Sequence, residues 1–129
     1  CDTTDDGCSV SQLKCIKSDV GYYVDNGVVK QCNTIDYSSN DITISGLTCT
    51  DVSDSKVTSC SPGYYKSNDG INYHSGPASK CIACTAQDTC ITSTNICSDV
   101  SGYETKYMCN TPNNGYYIND YISYRLLSL

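Results

Sequence analysis

The chain has 129 residues, of which eleven are cysteine, and it contains no Phe or Trp. Its formal net charge is −6, and its eight basic residues are scattered singly. This excludes the clustered basic face that nucleic-acid binding needs and electrostatic adhesion to an anionic bilayer. No apolar stretch is long enough to span a membrane. We therefore predict no nucleic-acid partner and no membrane insertion.

The cysteine content is typical of a disulfide scaffold, which requires an oxidising compartment. We predict that the protein is extracellular or lies on the cell surface. The chain begins at Cys1 without a Met, as removal of a signal peptide would leave it. Twelve Tyr, together with Ile and Val, suit half-buried pleated surfaces, so crosslinks are expected to replace a large apolar core.

The first predicted module, residues 1–48, holds the clearest copy of a recurring unit: a cysteine, Gly-Tyr-Tyr, a tight turn and another cysteine. This copy occupies residues 15–32, and β-prone runs flank Asn26 and Gly27. Asn-Gly readily adopts positive φ at both central positions of a type I′ turn. The pattern therefore predicts a β-hairpin.

The second predicted module, residues 49–83, holds another copy with Gly-Tyr-Tyr at 63–65. We predict a turn near Asp69, a return arm at residues 71–74, and closure by a disulfide between Cys60 and Cys81.

The third predicted module, residues 84–129, is interpreted as a degenerate repeat of the first. Its copy of the unit contains Gly102 and is followed by a further Gly-Tyr-Tyr at 115–117. Its first three cysteines are spaced six and seven apart, much as the first three of the chain are spaced by seven. Because each module alone buries too little surface, we expect the repeats to stack into an elongated array.

The C-terminal segment has no cysteine and is the most apolar stretch of the chain. A strand would place Ile122, Tyr124 and Leu126 on one face, whereas a helix would align Ile118, Ile122, Leu126 and Leu129. The segment is predicted to close its own module, to donate a strand to a neighbouring subunit, or to be the stub of a lipid-anchor signal. The candidate assembly residues are Tyr117, Ile118, Tyr121, Ile122, Tyr124, Leu126, Leu127 and Leu129.

An odd number of cysteines leaves at least one without an internal partner. The first and third modules each hold four and can close themselves, so Cys49 is the candidate for the odd cysteine. It is either a buried thiol, a member of a pair between modules that shifts the vacancy elsewhere, or an intermolecular crosslink. The ten cysteines predicted to form disulfides are Cys1, Cys8, Cys15, Cys32, Cys60, Cys81, Cys84, Cys90, Cys97 and Cys109.

No enzyme site, cofactor or metal is predicted. The Cys81-x-x-Cys84 pair lacks both the α/β context of a redox site and the second close pair of a zinc site. His74 is the only histidine, and its neighbours in the sequence suggest no triad. The chain has no Asn-x-Ser/Thr sequon, so any glycan partner is expected to be O-linked.

The repeated Cys…Gly-Tyr-Tyr…Cys unit resembles the cysteine-rich repeats of protist surface proteins. These include ciliate immobilisation antigens and the variant surface proteins of diplomonads, and the pattern is shared with growth-factor-receptor-like repeats. The resemblance is carried by residues 60–65, by the junction at 81–84 and by the Gly21 copy, although those families have many Cys-x-x-Cys pairs. It implies a coat or surface-structural role without catalysis.

We therefore predict a small, disulfide-rich, mainly β fold of tandem short β-hairpin modules with little helix, elongated in shape. The predicted function is that of an extracellular, non-catalytic structural protein. It would be a subunit of a cell-surface coat or self-assembling filament whose copies join head to tail. The alternative is a secreted cysteine-rich binding module or signalling ligand, like a pheromone or receptor ectodomain, that uses Tyr-rich hairpin faces for recognition.

Overall fold

The computed structural model describes residues 8–9, 14–32 and 46–127, where β-strands are the main regular structure. Twelve short strands pair with their neighbours in the chain as six two-stranded antiparallel sheets within these ranges. The strands are β1 (Cys8–Ser9), β2 (Lys14–Cys15), β3 (Tyr22–Asp25), β4 (Val28–Gln31), β5 (Leu47–Thr48), β6 (Lys56–Val57), β7 (Tyr64–Ser67), β8 (Lys80–Ala83), β9 (Cys90–Cys97), β10 (Tyr107–Pro112), β11 (Tyr116–Asn119) and β12 (Ile122–Arg125). A turn of 3-10 helix at Val52–Asp54 is capped by the Asp51 carboxylate. The predicted small, disulfide-rich hairpin fold is confirmed.

The hairpin of β3 and β4 has the predicted two-residue loop at Asn26 and Gly27. Their φ angles are 52° and 85°, the positive values that a type I′ turn requires at both positions. Beside the loop, the Lys30 ammonium lies 2.7 Å from the Asp25 carboxylate. This ion pair is exposed and contributes little stability, so the turn itself is the main local determinant of the hairpin.

The C-terminal segment is a strand, which decides between the two alternatives left open above. β12 pairs with β11 across a loop of Asp120 and Tyr121, whose φ angles are 52° and 61°. These angles again fit a type I′ turn, but here neither residue is Gly or Asn. Within the chain, the segment therefore closes its own module.

Each full Gly-Tyr-Tyr copy is preceded by the same tight turn. The N–H of the first Tyr donates to the carbonyl three residues earlier, at 3.1 Å in all three copies: Tyr22 to Asp19, Tyr64 to Ser61 and Tyr116 to Asn113. The intervening glycine has a φ of 88°, 90° or 87°. These are features of a type II turn, which needs positive φ at its third position and so favours Gly there.

The carbonyl of the same glycine closes each hairpin. It accepts a hydrogen bond from the residue after the return strand: Cys32 to Gly21 at 2.9 Å, Cys84 to Gly63 at 2.9 Å and Leu126 to Gly115 at 2.8 Å. We name these hairpins unit 1 (residues 19–32), unit 2 (61–84) and unit 3 (113–126), and we name the last residue of each its closing residue. Connector 1 (33–60) and connector 2 (85–112) are each 28 residues long. The chain therefore alternates units with connectors of equal length.

Unit 2 has a long loop in place of the two-residue turn. Its return strand is β8, so the return arm predicted at 71–74 is wrong. The Asp69 carboxylate accepts the backbone N–H groups of Asn72 and Ile71, both at 2.8 Å, and these bonds lower the pKa of Asp69. Such side-chain bonds to the backbone compete with a strand ladder, which explains why the chain leaves the hairpin here.

The copy predicted at Gly102 consists of the turn alone. The Tyr103 N–H donates to the Val100 carbonyl at 2.9 Å, and Gly102 has a φ of 91°. A second turn follows immediately, because the Lys106 N–H donates to the Tyr103 carbonyl at 3.0 Å. The complete third copy is therefore at Gly115, not at Gly102.

The apolar core of the described residues is small and relies on cysteine. Leu47, Val57 and Ile122 are its largest fully buried aliphatic side chains. Leu47 and Val57 pack together with Cys32 and Cys81 at the junction of units 1 and 2. Sulfur thus fills space that aliphatic side chains occupy in larger proteins.

Four disulfides join described cysteines: Cys32–Cys49, Cys60–Cys81, Cys84–Cys97 and Cys90–Cys109. The predicted pairing of Cys60 with Cys81 is confirmed. The third module also closes itself as predicted, through its two bridges.

The prediction that Cys49 is the odd cysteine is wrong. Cys49 bonds to Cys32, with Cα atoms 5.9 Å apart. The reason is that β5 ends just before Cys49, and Leu47 of that strand packs in the same cluster as Cys32. The first module consequently does not close itself. Cys15 is also disulfide-bonded. The side chains of Cys1 and Cys8, which were predicted to form disulfides, lie outside the described residues.

The division into three modules stays a prediction, but two contacts cross its first boundary. The Cys32–Cys49 bridge joins residues on either side of position 48. The ladder of β5 with β6 likewise pairs Leu47 with Val57. At the second boundary, Cys84 closes the hairpin of unit 2 through its bond to Gly63. The repeating units are therefore set by the hairpins and not by the cysteine spacing.

We expect Gly63→Ala to destabilise the fold more than Gly102→Ala does. The two glycines have nearly the same φ, 90° and 91°, so each alanine incurs backbone strain of about 1–3 kcal/mol. A Cβ at position 63 would also lie 3.0 Å from the Asn95 carbonyl oxygen, whereas at position 102 no atom lies within 4 Å. Urea unfolding of both variants measures the difference, expected to be about 1 kcal/mol or more. Equal losses would contradict the close approach of connector 2 to unit 2.

Candidate functional site

Unit 3 exposes a group of aromatic and aliphatic side chains. The rings of Tyr117 and Tyr124, which are cross-strand partners, stack with centroids 5.6 Å apart, and Tyr103 meets Tyr124 edge-on at 6.3 Å. Leu126 and Leu127 follow directly and are both exposed. We name Tyr117, Tyr124, Leu126 and Leu127 the unit 3 surface. Of these four side chains, Tyr117, Leu126 and Leu127 are exposed and Tyr124 is half-buried.

Gln87 fixes unit 3 against connector 2. Its buried amide donates from Nε2 to the Tyr107 carbonyl at 3.0 Å and to the Tyr121 carbonyl at 2.9 Å. Its Oε1 accepts the Ser123 N–H at 2.9 Å. Because both donors and the acceptor are used, the amide holds three backbone groups at once. The unit 3 surface is therefore presented on a fixed support.

Seven of the eight predicted assembly residues lie in the described part of the chain, and their exposure differs. Tyr117, Tyr121, Leu126 and Leu127 are exposed, and Ile118 and Tyr124 are half-buried. Ile122 is completely buried, so its side chain is not accessible for the predicted contact between copies. It is the first residue of β12 and pairs with Asn119 of β11, between Tyr121 and Ser123, whose backbone groups are both bonded to Gln87. Leu129 lies outside the described residues.

A groove of about 330 Å³ lies between unit 2 and connector 2. The Tyr65 hydroxyl donates to the Ile71 carbonyl at 2.7 Å, and burial raises the pKa of this phenol. Across the groove, the Glu104 carboxylate accepts the Gly102 N–H at 3.0 Å. Rings beside hydroxyls and carboxylates suit a polar ligand or a peptide. The lining includes Tyr64, Tyr65, Lys66, Tyr73, Asp99 and Glu104.

The Cys-x-x-Cys pair and His74, the other residues considered in the sequence for redox, metal or catalytic chemistry, do not form a common site. Cys81 and Cys84 belong to different disulfides, with Cys60 and Cys97. His74 is exposed in the loop of unit 2. Across residues 8–9, 14–32 and 46–127, no group of three or more His, Cys, Asp or Glu side chains is arranged to hold a metal ion.

Sequence reasoning missed the two residues that organise this end of the molecule. Gln87 is a single polar residue in a polar stretch of the sequence. The neighbouring residues do not indicate whether its side-chain amide is buried or exposed. Tyr103 was identified only as part of a degenerate repeat, and its contact with Tyr124 depends on the packing of connector 2 against unit 3. The Gly-Tyr-Tyr sequence itself marks all three units, whereas Gly102, which a second Tyr does not follow, forms the turn without a hairpin.

The fold and the site together define a small, disulfide-braced β protein built from tandem Gly-Tyr-Tyr hairpin units. Its four described disulfides indicate an extracellular protein. No protein-family model, no curated protein and no solved structure matches the chain. None of the helical segments that the structure describes has the length and apolar character to cross a membrane.

Proposed function

We propose that the chain is a non-catalytic structural protein outside the cell, a subunit of a surface coat or of a self-assembling filament. Copies of the chain join head to tail, and O-linked glycans on its Ser and Thr residues are further partners. The resemblance to the cysteine-rich repeats of protist surface proteins then reflects a shared way of building a coat. Such a coat needs rigid repeating subunits that bind one another at their ends, and it does not need catalytic residues.

The observation that supports this proposal is the alternation of units with covalently attached connectors. Cys32, the closing residue of unit 1, is bonded to Cys49 of connector 1, and Cys84, the closing residue of unit 2, is bonded to Cys97 of connector 2. Each unit is thus tied to the segment that leads to the next one. Tandem arrays of this kind have contacts between nearest neighbours that can be repeated without limit.

The state of the Cys-x-x-Cys pair supports the non-catalytic part of the proposal. A dithiol redox site needs two thiols that can form a bond with each other. Cys81 and Cys84 are instead each bonded to a cysteine of another element, so they brace the junction between unit 2 and connector 2.

Negative-stain microscopy and light scattering test the proposal on oxidised protein secreted from a eukaryotic host. We expect fibres, sheets or particles of many copies, with a mass that rises with protein concentration. A monodisperse monomer at every concentration would reject the coat or filament role.

The groove favours a second candidate function, that of a secreted binding module or signalling ligand. Tyr73 lines the groove with 40% of its surface exposed, whereas Tyr121 is 54% exposed and lies elsewhere. In this case the chain stays monomeric and binds saturably to receptor-bearing cells. Tyr73→Ser then weakens that binding while Tyr121→Ser leaves it unchanged.

A further inference from the structure

The groove between unit 2 and connector 2 has a volume of about 330 Å³ and lies between covalently joined elements. Cys60 and Cys97 contribute to its lining, and they are disulfide-bonded to Cys81 and Cys84 respectively. The Cys84–Cys97 bridge joins the two sides of the groove, because it links the closing residue of unit 2 to connector 2. The volume is at the small end of the range for ligand sites, so the groove suits one extended side chain and the backbone next to it.

The unit 2 side of the groove is fixed around Tyr73. The Lys66 carbonyl accepts the His74 N–H at 2.9 Å, and the Lys66 ammonium donates to the Ser75 carbonyl at 2.8 Å. The two residues that follow Tyr73 are therefore both bonded to β7, which holds the loop that carries this tyrosine. Tyr73 keeps 40% of its surface exposed, so a ligand can reach it without the cost of ordering the loop.

The connector 2 side of the groove contributes two acidic residues, Asp99 and Glu104, on an ordered backbone. The Ser98 hydroxyl accepts the Val100 N–H at 3.0 Å, and the Glu104 carboxylate accepts the Gly102 N–H at 3.0 Å. Among the residues that the structure describes, no Lys or Arg lies within ion-pair distance of either acid. Their negative charge is therefore not neutralised by an ion pair within this part of the chain.

Tyrosines beside such carboxylates favour a cationic ligand. The face of an aromatic ring attracts a cation placed over it, and Tyr64 and Tyr73 both line the groove. Asp99 and Glu104 outnumber the one basic residue of the lining, Lys66, whose ammonium is already bonded to a carbonyl. The net charge of −6 on the whole chain adds a field that attracts cations. A neutral sugar could bond to the hydroxyls of the groove but would gain nothing from this charge.

We propose that the groove binds the basic side chain, a lysine or an arginine, of a peptide or protein partner outside the cell. This inference rests on the second candidate function, that of a binding module, and names the ligand class for it. The cation is held between Tyr73 on the unit 2 side and Asp99 and Glu104 on the connector 2 side. Because the groove lies within one chain, the inference is independent of whether copies of the chain assemble.

Amide NMR of the isotopically labelled, oxidised full chain tests the inference by titration with N-acetyl-arginine amide. The matched ligand is N-acetyl-citrulline amide, in which a neutral urea of nearly the same shape replaces the guanidinium. We expect the arginine derivative to bind with a dissociation constant on the order of 1 mM, as its small size implies. The citrulline derivative should bind about threefold more weakly or worse. The amides that shift should be those of residues 64–66, 71–75 and 97–104.

The groove variant is Asp99→Asn combined with Glu104→Gln, which removes both charges and keeps a side-chain oxygen to accept the Gly102 N–H. We expect it to bind the arginine derivative about threefold more weakly or worse and to bind the citrulline derivative as the wild type does. The matched control is Asp88→Asn combined with Asp120→Asn, which removes the same charge from two exposed residues outside the groove lining. It should keep the wild-type affinity. If the groove variant does not form its native disulfides, the comparison of the two ligands on the wild-type chain still decides.

Four results would overturn the inference. The first is equal affinity of the wild-type chain for the two ligands, since charge would then not select the ligand. The second is a set of shifts that lies outside the groove, and the third is an equal loss of affinity in the control and groove variants. The fourth is stronger binding of methyl glucoside at the same amides, which would assign the groove to a neutral sugar. If Tyr73→Ser still weakens binding to receptor-bearing cells in any of these cases, the binding-module function stands without this ligand class.

Discussion

Reduction of the disulfides is expected to unfold the chain under conditions in which the oxidised protein is fully folded. The four described bridges close loops with sequence separations of 13 to 21 residues. In the chain-entropy model each such loop contributes about 3 kcal/mol. Four of them are comparable with the entire net stability of a small domain, about 5–15 kcal/mol. The few buried aliphatic side chains cannot replace that contribution.

Near-ultraviolet circular dichroism of the tyrosines and amide NMR dispersion measure this effect before and after treatment with a phosphine reductant. The control is the oxidised protein incubated with an alkylating agent alone, which should keep its spectrum. A reduced and alkylated chain that still unfolds cooperatively on heating would show that burial, and not crosslinking, holds the hairpins together.

Ile122→Ala is expected to lower the free energy of unfolding by about 2–5 kcal/mol, because it removes a fully buried side chain from a small core. The loss should be concentrated in unit 3, because Ile122 is the first residue of its strand β12. Chemical denaturation at a concentration where copies do not associate gives the value. Amide hydrogen exchange shows whether β11 and β12 open first.

Ile91→Ala provides the comparison within the same module, since its side chain is 61% exposed. Its effect should stay within about 0.5 kcal/mol. If the two variants lose equal stability, Ile122 does not anchor unit 3.

The hairpin at Asn26 and Gly27 was predictable because both residues favour the φ angles that the loop requires. The hairpin at Asp120 and Tyr121 adopts the same geometry, yet only Asp120 readily takes positive φ, and Tyr at the second position does not. There the turn is imposed by the pairing of β12 with β11 and by the bonds of Gln87 to Tyr121 and Ser123. A local rule cannot find a turn that is held by distant contacts.

The disulfides likewise include one that could be predicted from local sequence and one that could not. The Cys60–Cys81 bridge spans one hairpin, so the sequence order alone indicates it. The Cys32–Cys49 bridge depends on how connector 1 folds back over unit 1, where Leu47 and Val57 form the apolar cluster. Cysteine spacing placed Cys32 in a self-contained module, because spacing carries no information about which segments pack together.

By itself, the sequence indicated an oxidising compartment, the mainly β architecture, the type I′ loop of unit 1 and the positions at which glycine is required. These follow from redox chemistry and from the φ preferences of residues and their near neighbours. Only the tertiary structure decided which connector covers which unit, that Cys49 is bonded, and that unit 3 exposes Tyr117 and Leu126 where units 1 and 2 bury their equivalents. The physical reason is that burial depends on contacts between segments far apart in the chain, and units that share the same Gly-Tyr-Tyr turn and the same closing hydrogen bond can differ in those contacts.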